Sequence, residues 1–288
     1  MNGVRAQADI AGPRIVTGPM RMMIVPFVVL AGMGALDLYL LPQHTDRYFA
    51  WTLRPQASAM FMGAGYAAGV VMTVLSFRRQ PWAVTHIATY SIFVFVVMMS
   101  WATLLHLDRM HFHSGPTSAR AAAWLWIVVY IVVPVALAVL IVHEVREPGG
   151  DPPRRAPLAA GLRVVLGVQG AVMVGFGVAL FAWPTQMDRV WPWPLTALSG
   201  RALASWLLAI GCAGVEAVFE NDLPRLRPAF ITYTVLGVLW LLALVRAGDE
   251  VRWGSASAWV YGAGLLSVSA AGAVGVRFAA RVPRSETR

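Results

Sequence analysis

The sequence predicts an all-α, polytopic membrane protein with eight transmembrane helices in two tandem four-helix repeats. First, the chain is 58% hydrophobic and 13% charged, with a mean hydropathy of +0.63, whereas roughly a quarter of the residues in a soluble domain are charged. Second, it contains eight apolar runs of about 20 residues, the length of a helix that crosses a hydrocarbon core about 30 Å thick. Third, the polar segment 42–53 aligns without a gap on 184–195, half a chain later.

The eight apolar runs define the expected spans, and the short loops between them make sequential neighbours antiparallel. We expect the spans at 20–41, 56–77, 82–106, 121–143, 159–182, 202–219, 229–247 and 257–279.

The repeat follows from residues that recur 142 positions apart. Pro42, Asp46, Arg47, Trp51 and Leu53 recur as Pro184, Asp188, Arg189, Trp193 and Leu195. Because four spans separate equivalent elements, the two copies should have the same orientation and be related by an axis along the membrane normal. The predicted divisions are an N-terminal tail 1–19, a first repeat 20–146, a linker 147–157, a second repeat 158–280 and a C-terminal tail 281–288.

Charge predicts the orientation. Fifteen arginines fall on the side of the termini and eight on the other side, and the positive-inside rule then places both termini in the cytoplasm. The linker 147–157 is rich in Pro, Gly and charge, as expected of a cytoplasmic hinge. The net charge of +9 is spread singly or in pairs between apolar runs, which does not favour nucleic acid as a partner.

Two absences in the composition exclude some chemistries. All 23 basic residues are arginine, so a Schiff base with retinal or pyridoxal, which needs lysine, is excluded. The single Cys212 excludes an internal disulfide.

Ten of the 12 tryptophans map to the side opposite the termini. Because Trp prefers the headgroup zone, we expect the rings there, Trp51 included, to lie among lipid headgroups.

Histidine distribution gives the clearest functional prediction, because all six histidines lie in the first copy. Four of them, with Asp46 and Asp108, crowd the outer loops, where imidazoles and carboxylates are typical ligand or proton-acceptor groups. The candidate ligand-binding residues are Asp37, His44, Asp46, Arg47, His106, Asp108 and Arg109. The candidate metal ligands are His106, His111 and His113, although their spacing matches no fixed ligand signature. The alternative is a hydrated loop whose histidines are interfacial polar residues.

Haem is disfavoured as a cofactor. His86 and His106 are 20 residues apart, which on a helix is about 30 Å of rise and a rotation of about 200°. Haem ligands on one span should face the same interior.

Two residues are expected to be polar groups inside the membrane, His86 and Glu216. We expect His86 to bond with nearby Thr85, Thr89 and Gln169, and Glu216 to lie either at a solvated helix end or at a proton site. Small residues at four-residue spacing, Gly167-Ala171-Gly175 and Gly65-Gly69, predict close helix packing.

Four segments, 48–55, 62–66, 104–109 and 191–195, resemble those of a group of multi-pass integral membrane proteins of high-GC actinobacteria. The resemblance implies a bacterial plasma membrane. It brings no activity, cofactor or functional residue, since none is established for that group.

Three functions fit the sequence. The first is an integral membrane protein, more a binding protein than an enzyme, that binds a small or lipidic ligand, or a membrane-protein partner, at the outer face of its first repeat. The second is a small-molecule transporter, which the duplicated architecture favours. The third is a metal- or haem-dependent membrane oxidoreductase that uses the outer His and Asp residues.

Overall fold

The structure is a computed structural model that describes residues 12–78 and 81–283. Its eight long helices are α1 Gly18–Leu40, α2 Gln56–Phe77, α3 Trp82–Leu104, α4 Thr117–Arg146, α5 Ala160–Ala182, α6 Ala197–Glu220, α7 Leu223–Arg246 and α8 Ala256–Ala280. All eight are long and apolar enough to cross a membrane. The chain is therefore a multi-pass integral membrane protein.

The helix ends differ from the predicted spans by up to six residues. α7 begins at Leu223 rather than 229, and Pro224 is compatible with this start because it lies in the first turn, where the backbone N–H groups have no intrahelical partner. Pro228 lies farther along, inside the helix. α6 begins at Ala197 rather than 202, because the hydroxyl of Thr196 accepts a hydrogen bond from the Ser199 N–H at 3.1 Å.

The helices form an inner and an outer set. In α2, α3, α6 and α7, 39–56% of the most apolar stretch is buried within the protein, against 11–33% in α1, α4, α5 and α8. The outer helices therefore present most of their surface to lipid.

The inner helices pack in two pairs that cross between the halves of the chain, α2 against α7 and α3 against α6. An aromatic contact marks each pair: the Phe61 and Trp240 rings stack at 4.5 Å, and the Phe95 and Trp206 rings lie 3.9 Å apart. Each outer helix covers one inner helix, α1 on α2, α4 on α3, α5 on α6 and α8 on α7.

Glycines bring α5 and α6 into close contact. A Cβ added at Gly211 would lie 2.9 Å from the Gly170 carbonyl oxygen, and one added at Gly177 would lie 2.8 Å from Leu208. The predicted packing stripe on α5 is therefore used only in part: a Cβ added at Gly167 would lie 3.5 Å from Val218 of α6, whereas one added at Gly175 would have no atom within 4 Å.

The first and last described residues lie at the same end of the bundle, here called the terminal side, and the opposite end is called the far side. Pro13 pairs with Gly150, and Arg155 donates a hydrogen bond to the Pro283 carbonyl. The predicted tails lie partly outside the described residues, at 1–11 and 284–288.

The linker is fixed to the bundle rather than free to act as a hinge. The buried carboxylate of Asp222 accepts hydrogen bonds from the backbone N–H groups of Arg155 and Ala156, and Asn221 accepts one from Leu158. Three residues within 155–158 are therefore anchored at the α6–α7 corner.

Candidate functional site

The far-side loops fold inward onto the bundle. Trp51 and Leu53 are buried at 2% and 0% exposure, so the expectation that the Trp51 ring lies among lipid headgroups was wrong. The Thr45 hydroxyl accepts the Leu53 N–H at 3.0 Å, and the Trp51 ring packs against Trp126 at 5.0 Å. The 42–55 loop thus forms part of the wall above the helices.

Two of the predicted histidines bond to neighbouring segments. The His111 ring nitrogens lie 3.0 Å from the Thr52 hydroxyl and 3.1 Å from the Phe49 carbonyl oxygen, which joins the two far-side loops of the first half. His106 Nε2 lies 2.8 Å from Nη1 of Arg201, at the start of α6 in the second half. Because guanidinium only donates, this contact requires His106 Nε2 to be unprotonated.

Burial and the neighbouring Arg201 guanidinium lower the pKa of the His106 imidazole. Asp108 opposes this shift more weakly. The neutral imidazole is therefore the form that the folded protein favours.

The other predicted residues of the far-side loops differ in their exposure. His44 and Asp46 are half-buried, whereas Arg47, His113 and the Asp108–Arg109 ion pair are exposed. Within residues 12–78 and 81–283, no three His, Cys, Asp or Glu side chains approach closely enough to hold a metal ion.

Two far-side contacts that the sequence did not predict come from the α7–α8 loop. Glu250 accepts hydrogen bonds from the backbone N–H groups of Gln56 at 3.0 Å and Ala57 at 2.8 Å, and so caps α2 from the other half of the chain. Arg252 lies 3.3 Å from the Asp188 carboxylate. A charged residue in a loop is a weak sequence signal for such a contact.

A cleft of about 190 Å³ lies between α1 and α4, where it extends from the far-side loop at Tyr48 to Met23 of α1, and α2 and α3 form its floor. This first cleft is lined mainly by apolar and aromatic side chains, and its one acidic residue is Asp37. The Asp37 carboxylate is half-buried and makes no hydrogen bond or ion pair with a described residue. The first cleft therefore contains one of the predicted ligand-binding residues in a membrane-facing apolar site.

Other polar groups of the first cleft are already bonded to each other or to the bundle. The Tyr66 and Tyr130 hydroxyls lie 2.7 Å apart, and the Trp126 indole N–H donates to the Thr103 hydroxyl at 3.0 Å. Asp37 is thus the charged group of this cleft that is left to bind a ligand, and Tyr48, which is 47% exposed, is a second polar side chain of its wall without a partner among the described residues.

A second cleft, of about 260 Å³, lies between α5 and α8 in the far-side half of the bundle. Its floor is formed by Phe61, Leu207 and Trp240, and the far-side loop at Trp191 closes its top. No acidic side chain lines it.

A third cavity, of about 110 Å³, lies where the four inner helices meet. Its wall is mainly apolar, and the lining residues that carry a hydroxyl group are Tyr66, Ser91, Thr232 and Tyr233. This differs from the polar passage between the two halves that a small-molecule transporter predicts.

His86 and Glu216 belong to a network of charged residues at the terminal side. His86 Nε2 lies 3.4 Å from Glu216 Oε1 and 3.7 Å from Glu220 Oε2. Glu220, only 7% exposed, also pairs with Arg225 at 2.6 Å.

The partners expected for His86 were therefore wrong. Gln169 bonds instead to Ser267 and Tyr233, and Thr85 and Thr89 bond to backbone carbonyls of their own helix. The network joins α3 to the α6–α7 corner.

Comparison of the chain with protein-family models, with curated proteins and with solved structures gave no match of any of the three kinds. Functional inference therefore depends on the geometry of the clefts and of the far-side loops.

Proposed function

We propose that this protein is a bacterial plasma-membrane protein that binds an amine-bearing lipid in the first cleft, with Asp37 as the group that recognises the amine. The observation that carries the proposal is a lone carboxylate, without a partner among the described residues, in the wall of an apolar cleft between two lipid-facing helices. Asp37 lies one helical turn from the far-side end of α1, close to the depth of lipid headgroups.

Charge complementarity supports this class of ligand. A carboxylate inside the membrane is costly unless it is paired, so such residues commonly mark binding sites. A primary ammonium satisfies both the charge and the hydrogen-bond acceptors of the carboxylate. A quaternary ammonium has the same charge but no N–H to donate.

The proposal places this cleft in the first of two tandem four-helix repeats. Seven residues of α1 and the loop after it that line the first cleft have counterparts, 142 residue numbers later, that line the second cleft. Six residues of α4 that line the first cleft have counterparts 135 residue numbers later. Examples are Phe27, Leu30, Gly34, Ala122 and Trp126, which correspond to Gln169, Val172, Phe176, Ser257 and Tyr261. The crossing pairs α2–α7 and α3–α6 are also those that a rotation about the membrane normal would exchange.

Both termini are proposed to lie in the cytoplasm, so the far side is the outer side. The fifteen-to-eight division of arginines in the sequence supports this orientation. The first cleft then opens toward the outer leaflet.

The test compares a cleft-blocking variant with a matched neighbour. Ala122 lines the first cleft, whereas the adjacent Ala121 is exposed outside it. Wild type, Asp37→Asn, Ala122→Trp and Ala121→Trp are incubated with vesicles of equal phosphatidylethanolamine and phosphatidylcholine. Native mass spectrometry then counts the lipids that each protein retains.

We expect the wild type and Ala121→Trp to retain the ethanolamine lipid over the choline lipid by about tenfold, the range of a hydrogen bond to a charged group. Asp37→Asn should lose the preference, and Ala122→Trp should lose the bound lipid. Equal lipid retention by all four proteins would contradict the proposal.

A further inference from the structure

We propose that the second cleft is a separate lipid site, which binds an acyl chain of an outer-leaflet lipid and donates hydrogen bonds to its ester carbonyl. This site does not depend on the amine recognition proposed for the first cleft. It is defined by its length, by the polar closure of its deep end and by two hydrogen-bond donors near its mouth.

The length of the second cleft matches one leaflet. Along α8 it extends from Ser257, at the far-side end, to Ser267 and Val268 near the middle of the helix. Ten residues of helix rise about 15 Å, half of a hydrocarbon core about 30 Å thick. An acyl chain that enters from the outer leaflet would therefore reach the closed end.

Bonded polar groups form that deep end. The Gln169 amide donates to the Ser267 hydroxyl at 2.7 Å, and the Tyr233 hydroxyl donates to the Gln169 carbonyl oxygen at 3.0 Å. Because the Gln169, Ser267 and Tyr233 side chains are hydrogen-bonded to one another, an acyl chain that ends beside them does not deprive them of their hydrogen bonds.

The cleft has the size and the surroundings of a lipid site. Its volume of about 260 Å³ exceeds the cavities of about 150 Å³ that admit benzene. Its rim is exposed on both sides, at Phe176 and at Val260, which is 71% exposed. Since these rim residues lie on membrane-spanning helices, the molecules that reach the opening are lipids.

Two donors near the mouth select the polar part of the ligand. Trp191 is buried and its indole N–H has no acceptor among residues 12–78 and 81–283, and the Tyr261 hydroxyl forms no hydrogen bond with a described residue. Their rings lie 5.7 Å apart. The equivalent positions of the first cleft lack this feature, since position 49 is Phe and Trp126 is bonded to Thr103.

The two clefts thus present opposite hydrogen-bonding character, an acceptor at Asp37 in the first and donors at Trp191 and Tyr261 in the second. Ester carbonyls are acceptors and lie just below the headgroups, the depth of the loop that carries Trp191. A diether lipid of the same headgroup and chains has no carbonyl, so it separates recognition of the ester from simple apolar binding.

The experiment measures retention of a diester phosphatidylcholine and its diether analogue by native mass spectrometry. Choline headgroups are used because they give the first cleft no amine N–H to bind. Ser257→Trp blocks the second cleft, and Ala256→Trp, on the exposed neighbour, is the matched control. Trp191→Phe combined with Tyr261→Phe removes both donors and keeps the rings.

We expect the wild type and Ala256→Trp to retain the diester over the diether by about tenfold, the combined effect of two ordinary hydrogen bonds. The double Phe variant should bind both lipids equally, and Ser257→Trp should bind neither in this cleft while it keeps the ethanolamine lipid of the first cleft. If the wild type binds the diester and the diether lipid equally, the proposed recognition of the ester carbonyl is wrong, and this result does not depend on any variant. Unchanged retention in Ser257→Trp would overturn the site itself.

Loss of amine selectivity in Asp37→Asn, with ester selectivity unchanged, would support both sites as independent. If the wild type shows ester selectivity but no amine selectivity, the proposed function fails and the second site stands.

Discussion

At the scale of single residues, two of the far-side histidines connect neighbouring segments of the chain through polar contacts of their imidazole rings. His111 joins the two loops of the first half, and His106 contacts Arg201 of the second half. The metal site predicted for His106, His111 and His113 stays a prediction. In the structure, two of these imidazoles have protein partners instead.

The contact of His106 with Arg201 should make stability depend on pH. Because the folded state lowers the pKa of His106, its contribution is fully present above the unfolded pKa of about 6.5 and is lost as pH falls below that value. We expect the apparent unfolding temperature of the wild type to fall between pH 7.5 and 5.5 by more than that of His106→Gln. Equal falls for the two proteins, measured by intrinsic fluorescence, would exclude this contact as a source of the pH dependence.

The terminal-side network predicts a large cost for removing one charge. Glu220→Gln leaves Arg225, 9% exposed, without its closest carboxylate, and breaking a buried pair costs about 3–5 kcal/mol.

The matched control is Glu147→Gln, which removes the exposed partner of His143 and should change stability by less than about 1 kcal/mol. Denaturant titration in detergent micelles measures both. Similar effects of the two substitutions would contradict the importance of the buried network.

At the scale of helices, hydropathy predicted all eight segments because each must satisfy its own backbone in lipid. Their ends were less predictable: the seventh span was predicted to begin at 229, whereas α7 begins at Leu223 and contains Pro224 and Pro228. The packing face of α5 was not predictable from spacing, because small residues occur on several faces and only the partner helix decides which is used. Gly170 and Gly177 face α6, whereas Gly175 is exposed.

The close α5–α6 contact predicts opposite outcomes for the same chemical change at two positions. Gly211→Ala puts a methyl group 2.9 Å from the Gly170 carbonyl oxygen and should destabilise the protein by about 1–3 kcal/mol. Gly175→Ala meets no atom within 4 Å and should be neutral or stabilising by up to about 1 kcal/mol, because alanine favours the helix. Unfolding in mixed micelles measures the two free energies. A neutral Gly211→Ala would contradict the packing.

At the scale of the whole molecule, the sequence predicted a repeat through the 42–53 and 184–195 segments but not the contacts between the halves. These contacts join residues far apart in the chain, such as Trp193 with Ser58 and Trp240 with the Phe61 carbonyl. Only the fold brings them together. The clefts could not be predicted from the sequence for the same reason. Most of their wall residues are ordinary apolar side chains that come from four long helices in the first cleft and five in the second.

The proposed orientation predicts which loops are accessible from outside the cell. Single cysteines at Ser114 in a far-side loop and at Pro153 in the linker, both exposed, are placed in a Cys212→Ala background. An impermeant maleimide should label the cysteine at 114 in intact cells and the cysteine at 153 only after lysis. Labelling of position 153 in intact cells would reverse the orientation.

The central claim is a membrane bundle of two like-oriented halves, each with a lateral cleft that holds a lipid. An electron cryomicroscopy map of the protein in lipid nanodiscs tests it most directly. We expect chain-shaped density in both clefts, one in contact with Asp37 and the other below Trp191, in halves that superpose by rotation about the membrane normal. Clefts without lipid density, or halves that do not superpose by such a rotation, would contradict the claim.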